Sequence, residues 1–354
     1  PRYEDLGPLG VGGMGEVRRA YDRKLGRTLA LKIIHAPAMK QPGFVARFLE
    51  EAQVTAQLQH PNIVPVYDLG ALSDGRLWFT MQEVSGKTLG QVISELHAVS
   101  QERWATPTSG WTLRRLVEAL RQVCDGVSYA HSRGVVHRDL KPDNIMIGAH
   151  GEVLVLDWGL AKILGKDDAT SALEDLVPVQ TDRSAALSHP TMVGSVAGTP
   201  AYMPPEQALG KVTVIDARSE VYALGAILYE LLAGQAPYLG DGAADVLEQV
   251  RRGPPAALRH ARSQVPETEL HGVLGHGATP QRPPLPAPLI RACECAMARS
   301  PDARYVSAGE LASALQDWLD GAQRRDDALA IVKQAVGKVP EAARLRQRAS
   351  ALRE

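Results

Sequence analysis

Cysteine is scarce in this chain, with three in 354 residues: Cys124, Cys293 and Cys295. The odd number and the lack of metal-ligand spacing argue against a disulfide framework or a zinc site, and point to a reducing compartment. Cys293 and Cys295 flank Glu294 in a helical stretch, so their thiols point in different directions and read as buried packing groups. No uninterrupted apolar run approaches the roughly 18 residues of a membrane span, and no signal peptide opens the sequence. Excess charge is also missing, since 39 basic residues face 40 acidic ones for a net charge of -1. The arginine pairs Arg18-Arg19, Arg114-Arg115, Arg251-Arg252 and Arg324-Arg325 are scattered, which leaves no basic footprint for nucleic acid. The expectation is a soluble cytoplasmic chain. It opens at Pro1 without methionine, which fits a piece of a longer protein through which membrane attachment could still arise.

What is present is an ordinary globular composition, 45% hydrophobic and 22% charged, sufficient for a full core. The organising stretch is His137-Arg138-Asp139-Leu140-Lys141-Pro142-Asp143-Asn144, followed by Asp157-Trp158-Gly159. Two carboxylates, a lysine and a carboxamide within about twenty residues are the parts needed to hold a metal–polyphosphate and orient a hydroxyl toward it. Short β-type runs at 135–136, 145–147 and 153–156 flank the loop and would fix its side chains. Asp139 would meet the substrate hydroxyl and Lys141 the phosphoryl group in flight, with Asn144 and Asp157 on Mg²⁺.

These segments resemble the catalytic and metal-binding motifs of the eukaryotic-type protein kinases. GGMGEV, HRDLKPDNIM and GTPAYMPPEQ look most like the bacterial eukaryotic-like (Hanks-type) serine/threonine kinases. The resemblance runs from about Tyr3 to Leu319. It implies an α+β bilobal fold, with a small β-rich N-lobe at 1–84 and a larger, mostly helical C-lobe at 85–319. Within the latter fall an activation segment at 157–206 and a Pro/Gly-rich insertion at about 253–288. Residues 320–354 would form a helical extension, read as a hairpin, a repeat, a coiled coil or a docked linker with a second helical stretch after Pro340.

On the nucleotide side, Gly10-Val11-Gly12-Gly13-Met14-Gly15-Glu16-Val17 follows the form G-x-G-x-x-G-x-V. Glycines let the backbone approach phosphates, and Val17 offers an apolar surface to a base. A dinucleotide-binding turn shares the glycines, but a helix should then follow; here 16–21 reads as a strand, favouring a hairpin lid over ATP. Lys32 interrupts the apolar strand at 29–34 and needs a partner. On the helix at 44–58, at about 100° per residue, Glu51 falls in the arc of Phe44, Phe48, Thr55 and Leu58 while Glu50 points away. A Lys32–Glu51 pair is therefore expected, placing Lys32 on the α- and β-phosphates. The resemblance adds Ala30 to the ATP-binding set, makes Met81 the gatekeeper and makes Gln82, Glu83 and Val84 the linker whose backbone binds adenine.

Farther along, the helix at 113–131 delivers the chain to the catalytic loop, and His131 is most simply a helix-end residue. His137 is expected to pack and hydrogen-bond, not to act as acid or base. The polar stretch between Gly159 and Gly198 fits an activation loop, with Thr191 and then Ser195 as candidate phosphosites that could pair with Arg138. Gly198 to Glu206 resembles the P+1 loop and APE motif, and a Glu206–Arg304 bridge is expected. Three departures stand out: Trp158 for Phe, Pro204 for Ala, and Glu220 for the buried Asp at the start of a core helix. The reading is a serine/threonine protein kinase using ATP and Mg²⁺, with Mn²⁺ as an alternative ion. It would act on protein substrates and autophosphorylate through self-association. The alternatives are an ATP-binding pseudokinase scaffold and, more remotely, a small-molecule kinase.

Overall fold

Residues 2–12, 15–100, 103–163, 198–258 and 284–351 are described by the structure, a computed structural model. Strands β1 (Tyr3–Val11), β2 (Gly15–Asp22), β3 (Arg27–Ile34), β4 (Val66–Ala71) and β5 (Leu77–Met81) form an antiparallel sheet in the order β1-β2-β3-β5-β4. The apolar run of β3 takes the central place, because only there can Leu29, Ala30, Ile33 and Ile34 all leave water. After a short turn of helix, α1 (Ala36–Met39), helix α2 (Pro42–Gln57) lays Phe48 and Ala52 against Ile34 and Phe79 of the sheet. Full burial of such a phenylalanine contributes about 1.5–3 kcal/mol. This packing fixes the rotation of α2 and hence the direction of Glu51.

The second lobe begins with β6 (Gly86–Thr88) and α3 (Leu89–Val99), which Thr88 and Gln91 start with a capping box. Helix α4 (Leu113–Ser132) carries a buried stripe through Leu116, Leu120, Cys124 and Val127. The strands β7 (Val135–Val136), β8 (Ile145–Gly148), β9 (Val153–Val155) and β10 (Lys162–Ile163) follow it. They pair as β10-β7 and β6-β8-β9, bracketing the polar run 137–144. Beyond lie α5 (Pro205–Ala208), α6 (Ala217–Ala233), α7 (Ala243–Arg252), α8 (Ala287–Ala296) and α9 (Ala308–Ala351). Helix α6 is buried along nearly its whole length and stops at Gly234, whose φ of 80° is the left-handed C-cap glycine favours. The molecule is thus α+β and bilobal, with a helical extension. The lobes meet where Val155 N–H donates to Asn62 O (2.8 Å) and Val64 N–H to Val155 O (3.2 Å).

The end of the chain differs from the expectation. Residues 308–351 form one continuous 44-residue helix, not a closing helix followed by a hairpin or a separate stretch. Its first turns pack Leu311, Leu315, Trp318 and Leu319 into the core. Pro340 gives up a single helical hydrogen bond, and the run after it, Glu341 to Ala349, is made of strong helix formers.

Candidate active site

The catalytic-loop backbone is bent at Arg138, a non-glycine residue with φ of 69°. A left-handed conformation of this kind costs on the order of 1–3 kcal/mol and persists only where its surroundings over-determine it. Glu220 of α6 is the chief restraint. Its Oε1 accepts from Arg138 N–H at 2.7 Å and its Oε2 lies 2.8 Å from His131 Nε2. Gln207 Nε2 donates to Arg138 O at 3.0 Å. Burial disfavours a charge on Glu220, but the His131 hydrogen bond and charge, with the Arg138 N–H, hold its carboxyl below the usual range. The extra methylene therefore leaves the carboxylate in contact with the loop. His131 lies in the last turn of α4, as expected, but it is also buried and paired with Glu220 across 89 positions of sequence. Its place on the Leu120, Cys124, Val127 stripe was the available signal.

Asp139, Lys141 and Asn144 come together around a residue the sequence reading passed over. Thr199 donates to Asp139 Oδ1 from both its N–H (2.8 Å) and its Oγ1 (2.9 Å), and Lys141 Nζ donates to Thr199 Oγ1 at 2.8 Å. Lys141 Nζ also lies 3.1 Å from Asp139 Oδ2. Asn144 Nδ2 donates to Asp139 O at 2.9 Å, which holds its carboxamide beside the loop. Gly198 makes this approach possible: its φ is 115°, and a Cβ there would come within 3.0 Å of Arg138 O. A glycine next to a hydroxyl residue was the only trace of this in the sequence.

Asp157 follows β9 with φ of 59°. Its side chain is 49% exposed and one oxygen lies 3.6 Å from Lys32 Nζ. Burial of the surrounding cleft opposes its ionisation, but the Lys32 and His137 charges and the Gly159 N–H prevail, so its carboxyl titrates below the ordinary range. An ionised, half-open carboxylate suits a cation. His137 Nε2 donates to Leu156 O at 2.9 Å and its ring lies 4.7 Å from buried Trp158, the packing role expected of it.

From the other lobe, Lys32 Nζ meets Glu51 Oε1 at 2.5 Å, as the helix phase implied. Burial works against the ammonium, yet Glu51 and Asp157 outweigh it and keep Lys32 charged. Gly10 pairs with Val17 and Val11 with Glu16 in the β1–β2 hairpin, while Gly12 and Gly15 flank its turn. Gly13 and Met14 lie outside the described residues, as do Thr191 and Ser195. Val17 lies opposite Lys32, and Ala30 opposite Met81, so these four share one patch of the sheet. In the linker, Gln82 N–H donates to Pro65 O at 3.1 Å. The Glu83 side chain turns away to Arg19 at 2.5 Å, which leaves only its backbone for a ligand. Val84 follows, half-buried.

Residues 3–270 match the family described as protein kinase domain. The chain belongs to the protein kinase family. It is 35% identical over 319 residues to serine/threonine-protein kinase PknD of Protochlamydia amoebophila, covering 90% of this chain and 30% of that protein. It is 35% identical over 315 residues to PknB of Mycolicibacterium smegmatis, covering 88% and 42%. The chain thus spans less than half the length of these relatives. The crystal structure of the Mycobacterium tuberculosis PknI kinase domain shares the fold, with a TM-score of 0.57 and 24% identity over 89% of this chain and 95% of that one. The likeness to bacterial Hanks-type serine/threonine kinases drawn from the motifs therefore holds.

Two further features of the kinase domain bear on chemistry. Arg304 grips Glu206 with both terminal nitrogens (2.7 and 2.9 Å), and Ser219 Oγ donates to the same carboxylate at 2.7 Å. This anchors the end of the segment carrying Thr199, and Pro204 simply caps α5. Beside the catalytic loop, a cleft of about 690 Å³ is lined by Lys87 and Glu95, which pair with each other, and by Asp143, Tyr202 and Glu230. Burial and the Asp143 charge push the Glu230 carboxyl up, against the hydrogen bond from Tyr202.

Proposed function

We propose that this domain transfers the γ-phosphoryl group of ATP to serine or threonine hydroxyls of proteins. The observation that carries the reading is the convergence of Asp139, Lys141 and Thr199 within hydrogen-bond distance, with Asp157 and Lys32 facing them. Asp139 orients the acceptor hydroxyl and takes its proton at a carboxylate oxygen. Lys141 offsets charge on the transferring group, and Lys32, held by Glu51, positions the α- and β-phosphates. Asn144 and Asp157 are the ligands for Mg²⁺ or Mn²⁺. No group of three or more His, Cys, Asp or Glu that could hold a metal occurs among the described residues. Two protein ligands are what Mg²⁺ uses when phosphates and water complete its shell. The bound ion would neutralise charge on the phosphate oxygens. Gly10 to Val17, Ala30, Met81 and the backbone of 82–84 enclose the nucleotide.

A protein substrate is favoured over a small molecule by the platform at 198–206, where Met203 and Ala208 pack with Tyr238, Val246 and Val250. In the neighbouring cleft Lys87 is already paired with Glu95, so Asp143 and Glu230 give it an acidic balance that favours basic side chains near the acceptor. Autophosphorylation in trans, on Thr191 or Ser195, would follow from self-association. No helix among the described residues is long and apolar enough to cross a membrane, and a cytoplasmic site of action is proposed.

The test is intact mass. Phosphatase-stripped protein, freed of phosphatase and given MgATP, should gain phosphates stepwise, and an Asp139→Asn control should not. ATP binding without mass gain would favour a scaffold. Absence of phosphate at both Thr191 and Ser195 in active protein would overturn those assignments.

A further inference from the structure

We infer that His35 is a positioning residue for the phosphate-binding hairpin, tying its turn to the corner that follows Lys32. The inference rests on the ATP-binding part of the proposed function. His35 immediately follows β3 and is the N-cap of α1. Its own carbonyl accepts from Ala38 N–H (3.0 Å) and Met39 N–H (3.2 Å), so its backbone is anchored. From there the ring reaches back across the sheet, and Nε2 lies 3.1 Å from Gly12 O. A carbonyl only accepts, so Nε2 carries the hydrogen and donates.

The hairpin is built to allow this contact. Gly15 lies opposite Ile34, and a Cβ on Gly15 would stand 2.3 Å from Ile33 O. The third glycine of the motif thus serves close packing of β2 on β3, which brings the turn within reach of a ring on residue 35. Gly12 N–H donates to Gly15 O at 2.8 Å, so both polar groups of Gly12 are engaged. Anion recognition by a backbone turn uses N–H groups, while a carbonyl turned toward phosphate repels it. By holding the Gly12 carbonyl, His35 removes one such acceptor and lowers the freedom the glycines would otherwise lose on binding. Because Lys32 lies near the end of β3 and His35 just beyond it, the tether places the hairpin and Lys32 as a unit.

The experiment compares wild type, His35→Ala and His35→Gln, whose side-chain amide can donate over a similar reach. Each is titrated with Mg²⁺ and a fluorescent N-methylanthraniloyl ATP, and separately with adenosine, which has no phosphates. His35→Ala should weaken ATP about fivefold, the worth of one hydrogen bond near 1 kcal/mol, and leave adenosine unchanged. His35→Gln should recover most of the loss. Without nucleotide, hydrogen exchange in a peptide covering 9–17 should quicken in His35→Ala alone. Unchanged ATP affinity in His35→Ala, or equal losses for ATP and adenosine, would overturn the inference. If His35→Ala melts early, His35→Gln against His35→Leu gives the same readout. Wild-type protein that binds ATP yet transfers no phosphate sinks the proposed function and leaves the tether measurable, whereas no ATP binding at all overturns both.

Discussion

Around Asp139, the loop is held from outside by Glu220, Gln207 and Thr199 and from within by Asn144. Around Lys32, the site depends on the ion pairs to Glu51 and Asp157 and on single hydrogen bonds at the surface, such as His35 to Gly12. The first half is over-determined and can store a strained residue, Arg138, where the second can shift without unfolding anything. That contrast suits the proposed function, in which the groups around Asp139 stay fixed while a nucleotide enters and leaves.

The sharpest way to break the contrast is to remove chemistry without removing structure. Asp139→Asn keeps an oxygen for the Thr199 N–H but no longer takes a proton. It should lower kcat by about 10²–10⁴-fold, the range for a general base, with ATP affinity and melting temperature unchanged. Steady-state kinetics beside calorimetry checks this. A large fall in melting temperature would mean that the Asp139 charge, not the network around it, holds the loop.

Next in size is the anchor of the Thr199 segment. Arg304→Met leaves buried Glu206 without its charged partner, only the Ser219 hydroxyl remaining, and should cost about 3–5 kcal/mol of stability. The pH dependence follows from the shift at Glu206, where burial opposes the charge but Arg304 prevails and lowers the folded pKa. The unfolded chain therefore takes up this proton first as pH falls. The stabilisation is fully present above the unfolded carboxylate range, roughly pH 4.3, and is lost as pH drops through the lower folded value. Denaturant titrations at several pH values should show that acid loss in wild type and a shallower or inverted one in Arg304→Met. An unchanged slope would assign the acid sensitivity elsewhere.

A smaller effect separates the two duties of Glu220. Glu220→Asp restores the shorter side chain, which from this helix position cannot meet both His131 and Arg138 as Glu220 does. Losing one hydrogen bond to a charged group costs about 1.5–3 kcal/mol. If the lost bond is to Arg138, kcat should fall along with stability; if it is to His131, stability alone should fall. Parallel kinetic and unfolding measurements distinguish them, and no change in either would show that the loop tolerates the loss.

The same contrast explains what could be read from the chain. The catalytic half was legible because Asp139, Lys141 and Asn144 lie within one short run and Asp157 follows closely. The Lys32–Glu51 pair was legible because a helix has a phase and only one of two adjacent glutamates lies on the buried arc. Thr199 and His131 were not, since their partners lie 60 and 89 positions away; the local traces, a preceding glycine and a place on a buried helix stripe, name no partner. The continuous α9 escaped for a different reason: Pro340, with Gly337 just before it, signals a break by local rules, yet the helix runs on into the strong helix formers that follow. His35 is of the first kind, visible only once β2 and β3 are laid side by side.

The smallest expected effect lies at the seam between the halves. Trp158 is buried against His137, and its indole N–H has no partner among the described residues. An unsatisfied buried donor costs about 1–3 kcal/mol. Trp158→Phe would remove that cost and keep an aromatic face for His137, whose pairing is worth about 0.5–1.5 kcal/mol. Against this, the smaller ring opens a cavity, penalised at about 24 cal/mol per Å³. The opposing effects are of similar size, so stability should change by less than about 1 kcal/mol in either direction. Denaturant unfolding of the single variant measures it. A loss well beyond that would mean that the volume of the tryptophan outweighs the cost of its unsatisfied donor.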